Sequence, residues 1–250
     1  MKRRDFLSGT AAVGISLAAC EFQPNSAQSL KPSDNKSGQA SANDHKLTPP
    51  AKGRIPVAFL VSRGVTVIDF AGPWEVFQDV HVASRGESMD DQMPFELFTV
   101  SDTLGTRNRL GGFEDRSELH FQDIAIAQGN RDTRSGCRSP EMFEWLSKAS
   151  QSADVVMSVC TGAFILGRSG LLKGKSATTH HDFIEQFARE FPDVDVKRGL
   201  RFVEGPKISS AGGLTSGIDL ALRVVERYFG RGVAETTAFY MEYQSKGWIV

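Results

Sequence analysis

The chain has no excess of charge of either sign. Its 29 basic and 30 acidic side chains are spread along 250 residues for a formal net charge of -1. That balance gives no electrostatic footprint for nucleic acid and favours a small-molecule or protein partner. Metal-ligand spacing is missing as well. Of five histidines, His180 and His181 are neighbours, while His45, His81 and His120 fall in unrelated segments. No internal repeat is evident. The short apolar stretch within the first 20 residues cannot span a bilayer, because about 30 Å of hydrocarbon takes roughly 20 apolar residues. Cysteine is scarce, with Cys20, Cys137 and Cys160 only. What remains, 40% hydrophobic and 24% charged, is enough for one sizeable core plus an appendage, and excludes a wholly disordered or fibrous protein.

The opening segment MKRRDFLSGTAAVGISLAAC, residues 1–20, reads as an export signal. Arg3-Arg4 followed by Asp5-Phe6-Leu7 resembles the twin-arginine type, and LAAC at 17–20 resembles a lipobox, whose cysteine is lipidated. The expectation is an exported lipoprotein held at the membrane through Cys20 alone, facing the periplasm or cell exterior. Residues 21–53 are rich in Ser, Asn, Lys, Pro and Gln and cannot bury enough surface to offset their ordering entropy. They predict a disordered polar tether with a reach of about 30 Å, in which His45 is exposed and idle.

Residues 54–250 carry the globular pattern. RIPVAFLV (54–61), PFELFTV (94–100), FQDIAIA (121–127), residues 153–159 and KISSAG (207–212) read as strands, with a further short one near SATTH. Helices are predicted over GPWEVFQDVHVA with Pro73 in its first turn, over 139–151, after Cys160, over HDFIEQFARE, and over 215–229 and 232–244. Strands alternating with helices argue a parallel sheet covered on both faces. In such sheets reactive groups gather where strands end and helices begin.

Cys160 falls at such a junction, before a turn predicted at Thr161-Gly162-Ala163. A thiol there faces the free N–H groups and positive end of a helix, which favours thiolate. The competing reading is a buried, inert cysteine.

VVMSVCTGAFILGRSGLLKGKSATTHH, followed by RFVEGPKISSAGGLTSGIDLALRVVERYFG, resembles the DJ-1/PfpI superfamily, related in fold to class I glutamine amidotransferases. VTVIDFAGPWEVF at 65–77 is similar to the D-x-x-G-P-x-E-V signature of its isonitrile hydratase branch and of the sensor domains of AraC-type regulators. The resemblance covers about Pro56 to Trp248 and implies an α/β three-layer sandwich with a mostly parallel, flavodoxin-like central sheet. It implies Cys160 as nucleophile and Asp69 as its acidic partner, sharing or relaying a proton, with a helix-capping Asp69 as the alternative. Thr161 would offer its N–H and hydroxyl to a developing anion, or simply start the helix. His180 would stand near the thiol as a base, or cap a helix, and His181 replaces the branch's usual tryptophan. Glu75 is a second choice for the acid and a substrate contact, or complements the helix dipole.

The chain departs from the family after DIAIA. There it reads QGNRDTR where P-G-G-x-G-T-R is usual, placing Gln128, Asn130 and Asp132 at positions of Pro, Gly and Gly. Gly129 and Asn130 are the expected backbone contacts for substrate, since Asn tolerates positive φ. With Cys20 lipidated, Cys137 is left near Cys160, and a disulfide that masks the nucleophile is conceivable. Phe70, Trp74 and Phe164 are candidate walls. The resemblance implies a cysteine-dependent hydratase converting a small isonitrile to an N-substituted formamide, without metal or cofactor, as a homodimer. The alternative is a ligand-binding, sensor-like lipoprotein without turnover. Deglycation or proteolysis, claimed for other branches, has less support.

Overall fold

Buried on both faces, the first strand follows from its composition. In β1 (Ile55–Val61), Ile55, Val57 and Phe59 pack into one apolar cluster and Ala58 and Leu60 into another, the period of two that separates the faces of a sheet. The computed structural model describes residues 45–61, 64–100, 123–128 and 140–250, with the backbone alone for 123–128. The export signal, most of the tether, Cys20, His120, the loop carrying Gly129, Asn130 and Asp132, and Cys137 lie outside the described residues.

In chain order β1 is followed by α1 (Val67–Gln78), the four-residue α2 (Met89–Gln92), β2 (Phe95–Val100) and β3 (Asp123–Gln128). Then come α3 (Pro140–Ser152), β4 (Val155–Cys160), α4 (Gly162–Arg168), β5 (Ser176–Ala177) and α5 (Ile184–Glu190). β6 (Asp195–Val196), β7 (Phe202–Val203), β8 (Ile208–Ala211), α6 (Ser216–Phe229) and α7 (Arg231–Tyr240) complete the chain. The six-stranded sheet has the order β2-β1-β3-β4-β8-β7, parallel throughout except for the edge pair β7–β8. Val76, Phe77, Ile218, Leu222 and Ala234 from α1, α6 and α7 cover one face, and Met142, Leu146, Phe164 and Phe187 from α3, α4 and α5 cover the other. Apart from Ala234, each such buried side chain contributes roughly 1.5–3 kcal/mol of hydrophobic stabilisation. The α/β three-layer sandwich is the one expected.

Several boundaries differ from expectation. α1 starts at Val67, so Pro73 sits inside it rather than in its first turn; the missing N–H costs one helical bond, offset by close packing of Pro73 at the α1–α6 contact. β5 pairs with β6 in a separate two-stranded sheet. β6 and β7, two residues each, are too short to carry a pattern. The chain folds earlier than residue 54: Leu47 N–H donates to the Arg227 carbonyl at 2.9 Å, and Arg227 Nε donates to the His45 carbonyl at 2.8 Å. Leu47, an apolar residue of that polar segment, packs against the core. His45 is therefore half-buried rather than exposed. Among the described residues no helix is long and apolar enough to cross a membrane.

Candidate active site

Along β4, Val155, Met157 and Val159 pack on the α1–α6 face and Val156 on the opposite one. Continued alternation would send Cys160 to the side of Val156. Instead Cys160 adopts φ 57°, a left-handed conformation that costs a non-glycine residue roughly 1–2 kcal/mol. The twist carries its side chain into the α1–α6 cluster while the chain itself moves on to α4 on the other face. The turn is thus at Cys160, and Gly162 already belongs to α4. Thr179 Oγ1 donates to the Cys160 carbonyl at 2.9 Å and steadies the corner. Gln128, the last residue of β3, is the register partner of Cys160.

α1 and α6 close over this corner because small residues let them. A Cβ on Gly72 would lie 2.8 Å from Ile218 Cγ1, and one on Gly217 would lie 2.9 Å from Val159 Cγ1. Asp69, the third residue of α1, is consequently sealed from solvent. Its Oδ1 accepts the Leu214 N–H at 2.6 Å. Oδ2 is buried with no hydrogen-bond partner of good geometry, although the Cys160 thiol is near enough for the two groups to perturb each other. Leu214 presents its N–H from a left-handed φ of 52°, next to Gly213 at φ 144°. Gly213 also has to be bare: a Cβ there would lie 3.2 Å from Cys160 Sγ and 3.1 Å from His180 Cδ2.

His180 is partly buried, its ring stacked on His181 at 4.2 Å. Its Nδ1 accepts the Asp182 N–H at 3.3 Å, which in the neutral ring leaves the proton on Nε2. It caps the turn at His181–Phe183, and its ring also lies beside Gly213 at the cysteine corner.

Electrostatics reverse one expectation. Burial first, and then the negative charge of Asp69, push the Cys160 thiol up to about 12. The Thr161 N–H and hydroxyl donate to the sulfur and oppose this, without overcoming it. The helix N-terminus acts in the expected direction, but α4 is only seven residues long and cannot outweigh desolvation plus a neighbouring carboxylate. Burial likewise raises Asp69, partly offset by the Leu214 N–H, the Cys160 thiol and the charge of His180. Both groups are thus driven to hold a proton, and they titrate as a pair. At neutral pH the sulfur rests as a thiol.

The structure brings together Cys160, Asp69, Thr161 and His180. Glu75 is exposed and lies six residues past Asp69 on α1, about 240° around the helix, facing elsewhere. Phe70 and Trp74 pack on Phe59 at 5.6 and 5.1 Å, on the Cys160 face. Phe164 is buried on the opposite face against Phe187 and is no wall of this site. Cys160 is a free thiol. Contrary to the reading of the histidine spacing, His180, His181 and Asp182 place ligand-type atoms within 4.8 Å of one another, although His181 and Asp182 are exposed. Sequence reasoning missed the Gly213–Leu214 corner, whose signal was the glycine-rich run AGGLTSG.

Fold and site together define an α/β protein organised around a strained cysteine corner. The chain belongs to the DJ-1/PfpI family, whose description matches residues 56–227. Isonitrile hydratase of Pseudomonas putida is 28% identical over 193 residues, covering 76% of this chain and 78% of that protein. The HTH-type transcriptional regulator CdhR of Pseudomonas aeruginosa is 34% identical over 96 residues, covering 38% of this chain and 28% of the regulator. A ThiJ/PfpI family protein from Pseudomonas syringae superposes with a TM-score of 0.63 at 24% identity, covering 87% of this chain and 85% of that one.

Proposed function

We propose that the protein is a cysteine-dependent hydratase that converts small isonitriles to N-substituted formamides. The observation that carries this reading is the left-handed turn at Cys160, which sets the thiol against the buried Asp69 carboxyl. Similarity to isonitrile hydratase supplies the reaction class.

A thiol that rests protonated needs a base at the moment of attack, and a carboxylate raised by burial is a stronger base than an exposed one. As Cys160 sulfur bonds to the terminal isonitrile carbon, its proton passes to Asp69 and from there to that carbon, giving a thioimidate (R–N=CH–S–Cys). Water then adds to the carbon, a proton reaches the nitrogen, and the C–S bond breaks. The sulfur leaves with a proton and the product is R–NH–CHO. Thr161, with its N–H and hydroxyl on the sulfur, stabilises the charge that develops there in both steps. The amino-terminal signal extends the proposal to an exported lipoprotein, checked by loss of membrane association in Cys20→Ala, and the family resemblance extends it to a homodimer, checked by sedimentation.

The test is formamide production from a small aliphatic isonitrile by the full chain. Cys160→Ala should abolish it, and Asp69→Asn should lower it at least a hundredfold. Conversion unaffected by Cys160→Ala would overturn the mechanism. A second reading, ligand binding without turnover, draws on the high thiol value and on the similarity to CdhR. It predicts saturable isonitrile binding with no formamide from the unmodified chain.

A further inference from the structure

At the other end of α6 from Cys160, about 20 Å away for a helix of 14 residues, a cavity of about 360 Å³ opens at the corner between α6 and α7. Lys46, Arg223, Arg227 and Arg231 line it together with Glu226 and Gly230. Arg223 and Arg227 have side chains only 4% and 2% exposed. Their charges are held in place by a chain of ion pairs: Arg223 to Glu204 at 2.7 Å and to Glu226 at 3.0 Å, Arg231 to Glu226 at 2.6 Å, and Arg227 to Glu204 at 3.4 Å. Each carboxylate is thus shared between two guanidiniums, so three guanidiniums face two carboxylates. Arg231 also donates to the Val250 carbonyl oxygen at 3.4 Å, and Lys46 adds a fourth basic group to the lining.

The backbone adds to this. α7, ten residues long, begins at this corner with Gly230 as an N-cap that has no side-chain cap. A Cβ on Gly230 or on Gly232 would meet nothing within 4 Å, so the first turn is open to approach. A bare helix N-terminus offers N–H donors and about half a positive charge, balancing the opposite end of α6 at the same corner. The planar forks of arginine suit the oxygens of phosphate.

We infer that this cavity is an anion site that takes the phosphate of a small, soluble phosphate ester. Several planar guanidinium forks and a lysine around one cavity suit the oxygens of a phosphate monoester dianion better than a single carboxylate. The volume sits at the low end of the range for small-molecule sites, about 300–1,000 Å³, and leaves room for a short organic group beyond the phosphate. The site is separate from the cysteine corner and does not depend on its chemistry.

The test uses the full chain at constant ionic strength, with inorganic phosphate and glycerol 1-phosphate titrated against a chloride background. Binding is read by calorimetry and by Trp248 fluorescence, since the Arg231 guanidinium lies 5.4 Å from that ring centre. Saturable heat is expected with both probes, tighter for glycerol 1-phosphate. Lys46→Gln, at an exposed position, should weaken binding at least fivefold and Arg231→Gln at least tenfold, whereas Lys148→Gln on α3 should leave it unchanged. Heat that chloride reproduces, or affinity equal in Lys46→Gln and the unmodified chain, would overturn the assignment. So would binding to phosphatidic acid vesicles without binding to glycerol 1-phosphate.

Discussion

Replacing Asp69 by Asn should make Cys160 more reactive toward an alkylating agent while stopping turnover. Asn keeps an oxygen to accept the Leu214 N–H and removes only the negative charge. With the thiol at about 12, thiolate at pH 8 is about one part in ten thousand. Two like charges about 4 Å apart repel by about 4 kcal/mol at an effective dielectric of 20. Half of that, about 2 kcal/mol, raises the thiolate population about thirtyfold. The burial penalty stays, so the thiol remains above its ordinary value. Iodoacetamide labelling at pH 8, followed on the Cys160 peptide by mass spectrometry, should accelerate by that order in Asp69→Asn. Formamide production should fall at least a hundredfold in the same protein. Labelling that is unchanged or slower would refute the reasoning, because Asp69 would then not be charged beside the sulfur.

The same substitution should raise the melting temperature at pH 7. A carboxyl whose folded value is raised above its ordinary 3.8 binds its proton more readily in the folded chain. Its contribution to stability is therefore fully present below the ordinary 3.8 and is lost as pH rises through the folded value, so the gain from Asn should vanish below about pH 4. Cys160 has the same sign: from an ordinary 9.0 to about 12, it contributes stability that is present below pH 9.0 and lost as pH rises toward 12. Cys160→Ser should flatten the alkaline limb of the unfolding profile. Gly213→Ala should cost about 1–3 kcal/mol in denaturant unfolding, because its Cβ would meet Cys160 and His180 near 3.1 Å, and should abolish activity. Thr161→Val should slow formamide production about tenfold or more with little change in melting temperature, reflecting loss of one hydroxyl donor to the sulfur.

Much of the architecture was legible because the strands bury both faces. The runs around Val57 and Val156 are nearly all apolar, and the intervening helices announce a parallel sheet. Cys160 and Asp69 were legible as a pair through the family motifs that contain them. The conformation joining them was not. A left-handed cysteine carries no residue signature of its own, so the turn was placed one to three residues late, at Thr161-Gly162-Ala163. Leu214, which fixes Asp69, comes from 145 residues further along the chain, a separation no local pattern bridges. The sign of the thiol shift was misjudged for a physical reason: helix-end electrostatics can be read from position, whereas desolvation depends on how tightly α1 and α6 close, set by Gly72 and Gly217. In the same way, Arg223, Arg227 and Arg231 recur every four residues, yet only folding turns that stripe inward to a cavity.

A mass measurement on acid-quenched enzyme tests the central claim most directly. During turnover of a small isonitrile, the Cys160 peptide of the unmodified chain should gain the full mass of one isonitrile, and the Asp69→Asn peptide should gain none. Formamide production with no adduct on Cys160 at any quench time, or an adduct that forms equally well without the Asp69 carboxylate, would contradict the account.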